Sequence, residues 1–158
     1  MNSAYGENEY SILRQVLGLL YRNNDFDAAV NDVLELLGKT YQVSRVYIIE
    51  DNAEHTACSN TFEWCALGIQ SEMAALQNLV YGLDLEADYQ DHFDAEGIFS
   101  CEDTADLPPK QRGVLQRQGI LSLLQCALYN ADTYIGYIGY DECIRKASEI
   151  TNRVTIHP

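Results

Sequence analysis

Positive charge is missing from the middle of this chain. Between Val46 and Pro109 there are fourteen Asp and Glu residues and not one Lys or Arg. The remainder balances ten acids against ten bases, so the middle carries the entire net charge of −14. That field repels polyanions, which argues against DNA, RNA or an acidic membrane surface as a partner. Paired cysteine spacing is missing too. Cys58, Cys65, Cys101, Cys126 and Cys143 are an odd set with no CxxC, unlike a zinc site or a disulfide framework, and read as free thiols in a reducing cytoplasm. Long apolar runs are also lacking. The stretch from Gln118 to Ala131 is uncharged but too short to cross a bilayer. The polar start, Met1 to Tyr10, has neither the basic nor the apolar region of a secretory leader. The expectation is a soluble, cytoplasmic protein with no membrane partner.

Catalytic patterns are equally scarce. Gly136 and Gly139 stand in a strand-like stretch, not in a G-x-G-x-x-G or Walker cradle, and neither G-x-S-x-G nor H-E-x-x-H occurs. There are three histidines, His55, His92 and His157. Asp88 and His92 could share a helix face with Asp91 and Asp94 nearby, but the spacing is not that of a calcium loop. It reads as a solvated acidic face, and no metal or cofactor is expected. No cysteine is paired with a histidine in the way nucleophilic catalysis requires.

What is present is a clear run of elements. Ile12, Leu13, Val16, Leu17 and Leu20 give an amphipathic helix over Tyr10–Tyr21, and a second helix with Phe26, Val30, Leu34 and Leu37 follows a cap at Asp25. The period then changes to the β-branched, aromatic strand 45–50 and its antiparallel partner 56–64. Gln70 to Asp94 reads as helical or irregular, with Met73, Leu76, Gln77, Val80 and Leu83 on one face. A short strand covers Ile98–Cys101, Pro108-Pro109 opens a helix over 110–118, and strands 120–129 and 133–140 form a hairpin. A last helix is expected from near Cys143 to Ile150. This order makes an α+β domain, an antiparallel sheet covered by helices, because the strand connections are too short for parallel crossovers. Residues 1–23 read as a leading helix with apolar surface to spare, and 24–158 as the domain proper.

Three ordered blocks resemble the GAF domains of bacterial signalling proteins. They are Asn60-Thr61-Phe62-Glu63-Trp64-Cys65 with Gly68-Ile69, then Leu107-Pro108 with Arg112, Leu115, Gln118-Gly119-Ile120 and Ser122, and Gly136-Tyr137-Ile138-Gly139-Tyr140-Asp141 with Cys143. The resemblance covers about Phe26 to Ile150. It implies a sheet of about six strands flanked by helices on both faces, a homodimer through the terminal helices, and an output domain in cis or trans such as a diguanylate cyclase, phosphodiesterase or histidine kinase. Ala147 stands near the Trp usual in the group. The N-K-x-x-x-F-x-x-x-D-E pattern of cyclic-nucleotide members and the Cys-His pair of bilin-binding members are both missing.

The expected function is small-molecule sensing, with an unknown ligand between the sheet and the segment Gln70–Gln118. Candidate ligand-binding residues are Phe62, Trp64, Phe93, Phe99, Asp103 and Arg112. Arg112 is also placed to pair with Asp103 or Asp106. The alternatives are a ligand-free dimerisation or transmission module and, less in keeping with the motifs, a GAF-fold methionine sulfoxide reductase using the cysteines.

Overall fold

The computed structural model describes residues 3–144. The expected last helix lies outside the described residues. Six antiparallel strands form one sheet: β1 (Arg45–Asp51), β2 (Ala57–Cys65), β3 (Leu79–Val80), β4 (Ile98–Cys101), β5 (Ser122–Asn130) and β6 (Thr133–Glu142). Their order across the sheet is β3-β2-β1-β6-β5-β4. Strand β6 is therefore central, and the layers on both sides of the sheet explain why its sequence is apolar on both faces.

Helices α1 (Ser3–Arg22) and α2 (Phe26–Tyr41) stack beside one face of the sheet. Asp25 starts α2 by accepting a hydrogen bond from the Ala28 amide, and Gln42 ends it in the left-handed conformation. Val30 and Leu34 of α2 then bury against Val46, Leu124 and Tyr140. Helix α3 (Pro109–Arg117) and the segment between β2 and β4 cover the other face. Gly119 follows α3 at φ +72, as a helix-ending glycine does. Helices thus stand on both faces, as expected.

Two elements depart from the sequence reading. Helix α1 begins earlier than Tyr10. The segment 70–94 is not a long helix but a series of turns around the two-residue β3 and a 3-10 turn at Tyr89–His92. Its would-be helical stripe is broken up because side chains and chain reversals take its backbone groups: Glu63 accepts from the amides of Glu72 and Met73, and Asp84 from that of Val80.

A bulge in β2 decides which side chains reach which face. Ile48 pairs with Phe62 but Ile49 pairs with Asn60, leaving Thr61 as the extra residue. The alternation flips there. Cys58 joins Tyr47 and Ile49 on the α3 side, whereas Phe62 and Trp64 pack with Val46 on the α2 side.

Candidate functional site

A cavity of about 50 Å³ lies between the α3 face of the sheet and the covering segment 76–118. Tyr47 and Ile49 of β1, Gln125 of β5 and Tyr137 and Asp141 of β6 form its floor, and Leu85, Tyr89, Gln111 and Leu115 close it. It adjoins an outer hollow of about 240 Å³ that shares Leu76, Leu79, Asp84, Leu85, Val114 and Gln118 with it and adds Glu72 and Arg117. The inner space holds a few water-sized groups. It is far below the roughly 300 Å³ at which drug-sized pockets begin.

The floor is a buried hydrogen-bond chain. Tyr89 donates its hydroxyl to Gln125 Oε1 (2.8 Å), Gln125 Nε2 donates to the Tyr47 oxygen (3.3 Å), and Tyr47 donates to Asp141 Oδ1 (3.1 Å). Gly139 makes this possible, because a Cβ there would overlap the Tyr47 ring that crosses β6. Behind Asp141 stands Arg45, only 1% exposed. Its Nε lies 3.5 Å from Asp141 Oδ2, an ion pair without hydrogen-bond geometry, while Nη2 donates to the Gln118 carbonyl (3.1 Å) and faces Cys143 Sγ (3.5 Å). Burial pushes the Asp141 carboxyl up to about 7, although Arg45 and the Tyr47 hydroxyl pull it down and Glu63 pushes with burial. Burial likewise raises the Tyr89 phenol to about 12 and holds those of Tyr47 and Tyr137 well above the ordinary range. The phenols are therefore donors at neutral pH.

Gln111 stands apart from this chain. It is 6% exposed, lines the cavity, and neither its amide nitrogen nor its amide oxygen has a hydrogen-bond partner. Such orphaned groups are costly in a native interior. Its neighbour Lys110 is tied down, donating to the carbonyls of Gly82 (3.3 Å) and Leu85 (3.2 Å), and so fastens α3 over the cavity.

The six residues expected from sequence do not form this site. Phe62 and Trp64 are on the opposite face: Phe62 meets Phe26 edge to face, and the Trp64 ring covers Gly38 so closely that a Cβ there would collide with it. Phe93 and Phe99 lie on the cavity side, packed on one another (6.4 Å between rings), and Phe93 packs on Tyr137 (5.9 Å), so they buttress the wall without lining it. Asp103 caps the short 3-10 turn Thr104–Asp106 by accepting from the Ala105 amide (3.0 Å). Arg112 donates to the Ala105 carbonyl (3.2 Å), fastening α3 to the same turn. Both are outside the cavity lining. Sequence reading missed Tyr47, Tyr89, Gln111, Gln125 and Asp141. The available signal was the polar Gln125 inside the otherwise apolar run 123–128, and the Asp closing the last GAF-like block.

The cysteines are placed as inert thiols. All five are free, and burial raises each of them, Cys58 to about 11 and Cys65 to about 12. An activated thiolate requires the opposite shift. His92 meets Glu86 (2.8 Å) and stacks on Phe99, and among the described residues no three metal-binding side chains converge. Among the described residues no helix is long and apolar enough to cross a membrane.

The six-stranded antiparallel sheet with its helices has the fold of a GAF domain. No family model matches the chain. Over 128 residues it is 31% identical to the methanogenesis regulatory histidine kinase FilI of Methanothrix harundinacea, a match covering 78% of this chain and 14% of that kinase. The chain thus spans about a seventh of that relative's length. The phycocyanobilin-bound GAF domain from a cyanobacterial phytochrome superposes with a TM-score of 0.70 at 14% identity, covering 92% of this chain and 88% of that one. The chromophore-binding domain of a Stigmatella aurantiaca phytochrome gives a TM-score of 0.73 at 11% identity, over 97% of this chain and 58% of that one. Similarity to proteins of sensory signalling is therefore shared by the sequence relative and the fold neighbours.

Proposed function

We propose that this domain senses a small molecule and passes the event to an output domain of a signal-transduction protein, without catalysing a reaction itself. The observation that carries the reading is the cavity beneath α3, with the buried, unpartnered amide of Gln111 in its lining. Asp141 connects that cavity to the end of β6. The next residues are knotted together: Ser44 donates to Glu142 Oε1 (2.9 Å) and accepts from the Cys143 amide (2.9 Å), and the Ile144 amide donates to Glu142 (3.0 Å). A ligand that prefers one arrangement of Asp141 and Arg45 would bias this knot. The kinase relative supports an output of histidine-kinase type. The fold neighbours with bound bilins support a small-molecule role but not a bilin here, because the inner space is about 50 Å³ and the Cys-His pair is missing. A thermal-shift screen of metabolites tests the reading, since a ligand at 100 times its Kd adds about 2.7 kcal/mol. Failure of every compound, together with no mass shift in native mass spectrometry, would refute it.

The small cavity volume favours a second reading, a transmission module with a filled core. In either reading we assign the leading helix to homodimerisation. Tyr10, Leu13, Leu17 and Leu20 of α1 are exposed at 3-4-3 spacing, the spacing of a two-helix seam. The α1–α2 surface beside them carries Arg14, Arg22 and Lys39 as well as Asp32 and Glu35, a self-complementary set for two-fold pairing.

A further inference from the structure

Four carboxylates line the cavity, Glu63, Asp84, Glu86 and Asp141, against the single cation Lys110. Lys110 is already spent on two carbonyls. In the inner cavity an anionic ligand therefore meets repulsion with no free cation to offset it, and in the outer hollow Arg117 stands against Glu72 and Asp84. An ammonium ligand fares little better, because every one of those carboxylates has a partner. Glu63 accepts from Glu72, Met73 and Asn60; Asp84 accepts from Val80; Glu86 meets His92; Asp141 faces Arg45 and Tyr47. The unmet demand is at Gln111, where one buried donor and one buried acceptor stand side by side on the same planar group. The group that satisfies both at once without charge is another amide. The apolar partners Leu76, Leu79, Leu85 and Val114 of the outer hollow suit a short hydrocarbon body attached to it.

Resting on the sensing reading, we infer that the ligand is a compact, uncharged amide, a carboxamide or lactam, whose N–H and C=O pair with the side-chain amide of Gln111 while its short apolar body fills the hollow between α3 and the loop 76–85. The specificity follows from the same groups. A carboxylate of equal shape lacks the donor and brings charge into the acidic cavity, and an amine lacks the acceptor. Both leave Gln111 half satisfied at a cost of about 1–3 kcal/mol, which is roughly 5- to 150-fold in affinity.

The test is a titration of the full chain, followed by amide NMR shifts and by melting temperature, with propionamide and 2-pyrrolidinone against propionate and propylamine. The amides are expected to bind saturably, moving the backbone signals of Tyr47, Leu115 and Gln125, with propionate and propylamine at least about fivefold weaker. Gln111→Leu is expected to keep the fold, because it removes an unpaired buried amide, and to weaken propionamide about tenfold or more. Gln111→Glu gives a second readout, retaining size and an acceptor while removing the donor. Equal binding of propionate or propylamine, no saturable amide binding, or unchanged amide affinity in both variants overturns the assignment. If the amides fail while a different compound from the metabolite screen stabilises the chain, only the ligand class falls. If nothing binds at all, the sensing reading falls with it.

Discussion

Asp141 and Gly139 show how much one residue decides here. Asp141 is 2% exposed, and burial raises its carboxyl from 3.8 to about 7. A raised carboxyl is stabilised by its proton: its contribution is fully present below pH 3.8 and is lost as pH climbs through about 7. Asp141→Asn removes this dependence. Relative to the wild type the variant is expected to fare worst at pH 4, and its deficit narrows as pH rises to 7, because only the wild type loses the contribution of its protonated carboxyl over that range. Melting curves across that range check the sign, and a deficit that widens with pH would contradict it. Gly139 is the complementary case, where the lack of a side chain is the function. Gly139→Ala pushes a methyl into the Tyr47 ring and is expected to cost about 1–3 kcal/mol by urea denaturation. Tyr47 also stops reaching Asp141 and Gln125, so cavity binding should weaken beyond the loss of stability.

Caps and polar ties fix the position of individual elements over the apolar clusters. Asp25 is the cap that starts α2, and its carboxylate accepts from Ala28 at 3.2 Å. Asp25→Ala is expected to cost about 1 kcal/mol in urea unfolding, with little effect on any cavity ligand, because α2 lies on the far side of the sheet. Helix α3 is different, being fixed from several directions at once. Lys110 ties it to Gly82 and Leu85, Arg112 to Ala105, and Arg45 grips the carbonyl of Gln118 just past its end. Lys110 thereby holds α3 to the cavity-lining Leu85, and Arg45 links the end of α3 to Asp141 near the end of β6.

For the whole molecule, the proposed homodimer rests on the leading helix. The apolar stripe of α1 divides: Ile12, Val16 and Leu19 are half-buried, whereas Leu13 and Leu17 are 54% and 57% exposed. Pairing of two such helices would remove this surface from water at about 25 cal/mol per Å². The chain is expected to sediment as a dimer at tens of micromolar, and Leu13→Lys with Leu17→Lys is expected to yield a folded monomer. A monomeric wild type, or a double variant that dimerises as before, would refute the seam. The uneven charge fits this arrangement, since α1 and α2 lie outside the base-free stretch Val46–Pro109.

Much of this protein was legible without its structure, because periodicity and capping are local. The 3.6-residue stripe and Asp25 mark α2, β-branched and aromatic runs mark β1, β5 and β6, and Pro108-Pro109 with Gly119 bracket α3. The antiparallel α+β class followed from that order, and the GAF resemblance from three motif blocks. The candidate site did not, because it is assembled from residues far apart in the chain. Phe62 and Trp64 were reasonable wall candidates on alternation alone. The bulge at Thr61 then reversed which face they serve, and a bulge is a property of two paired strands. Likewise no spacing announces that Gln111 is buried without a partner, or that Tyr47, Gln125 and Asp141 join across β1, β5 and β6. Local sequence determines each element and its apolar face; only the closing of α3 over the sheet decides which polar groups lose their water, and those groups define the site.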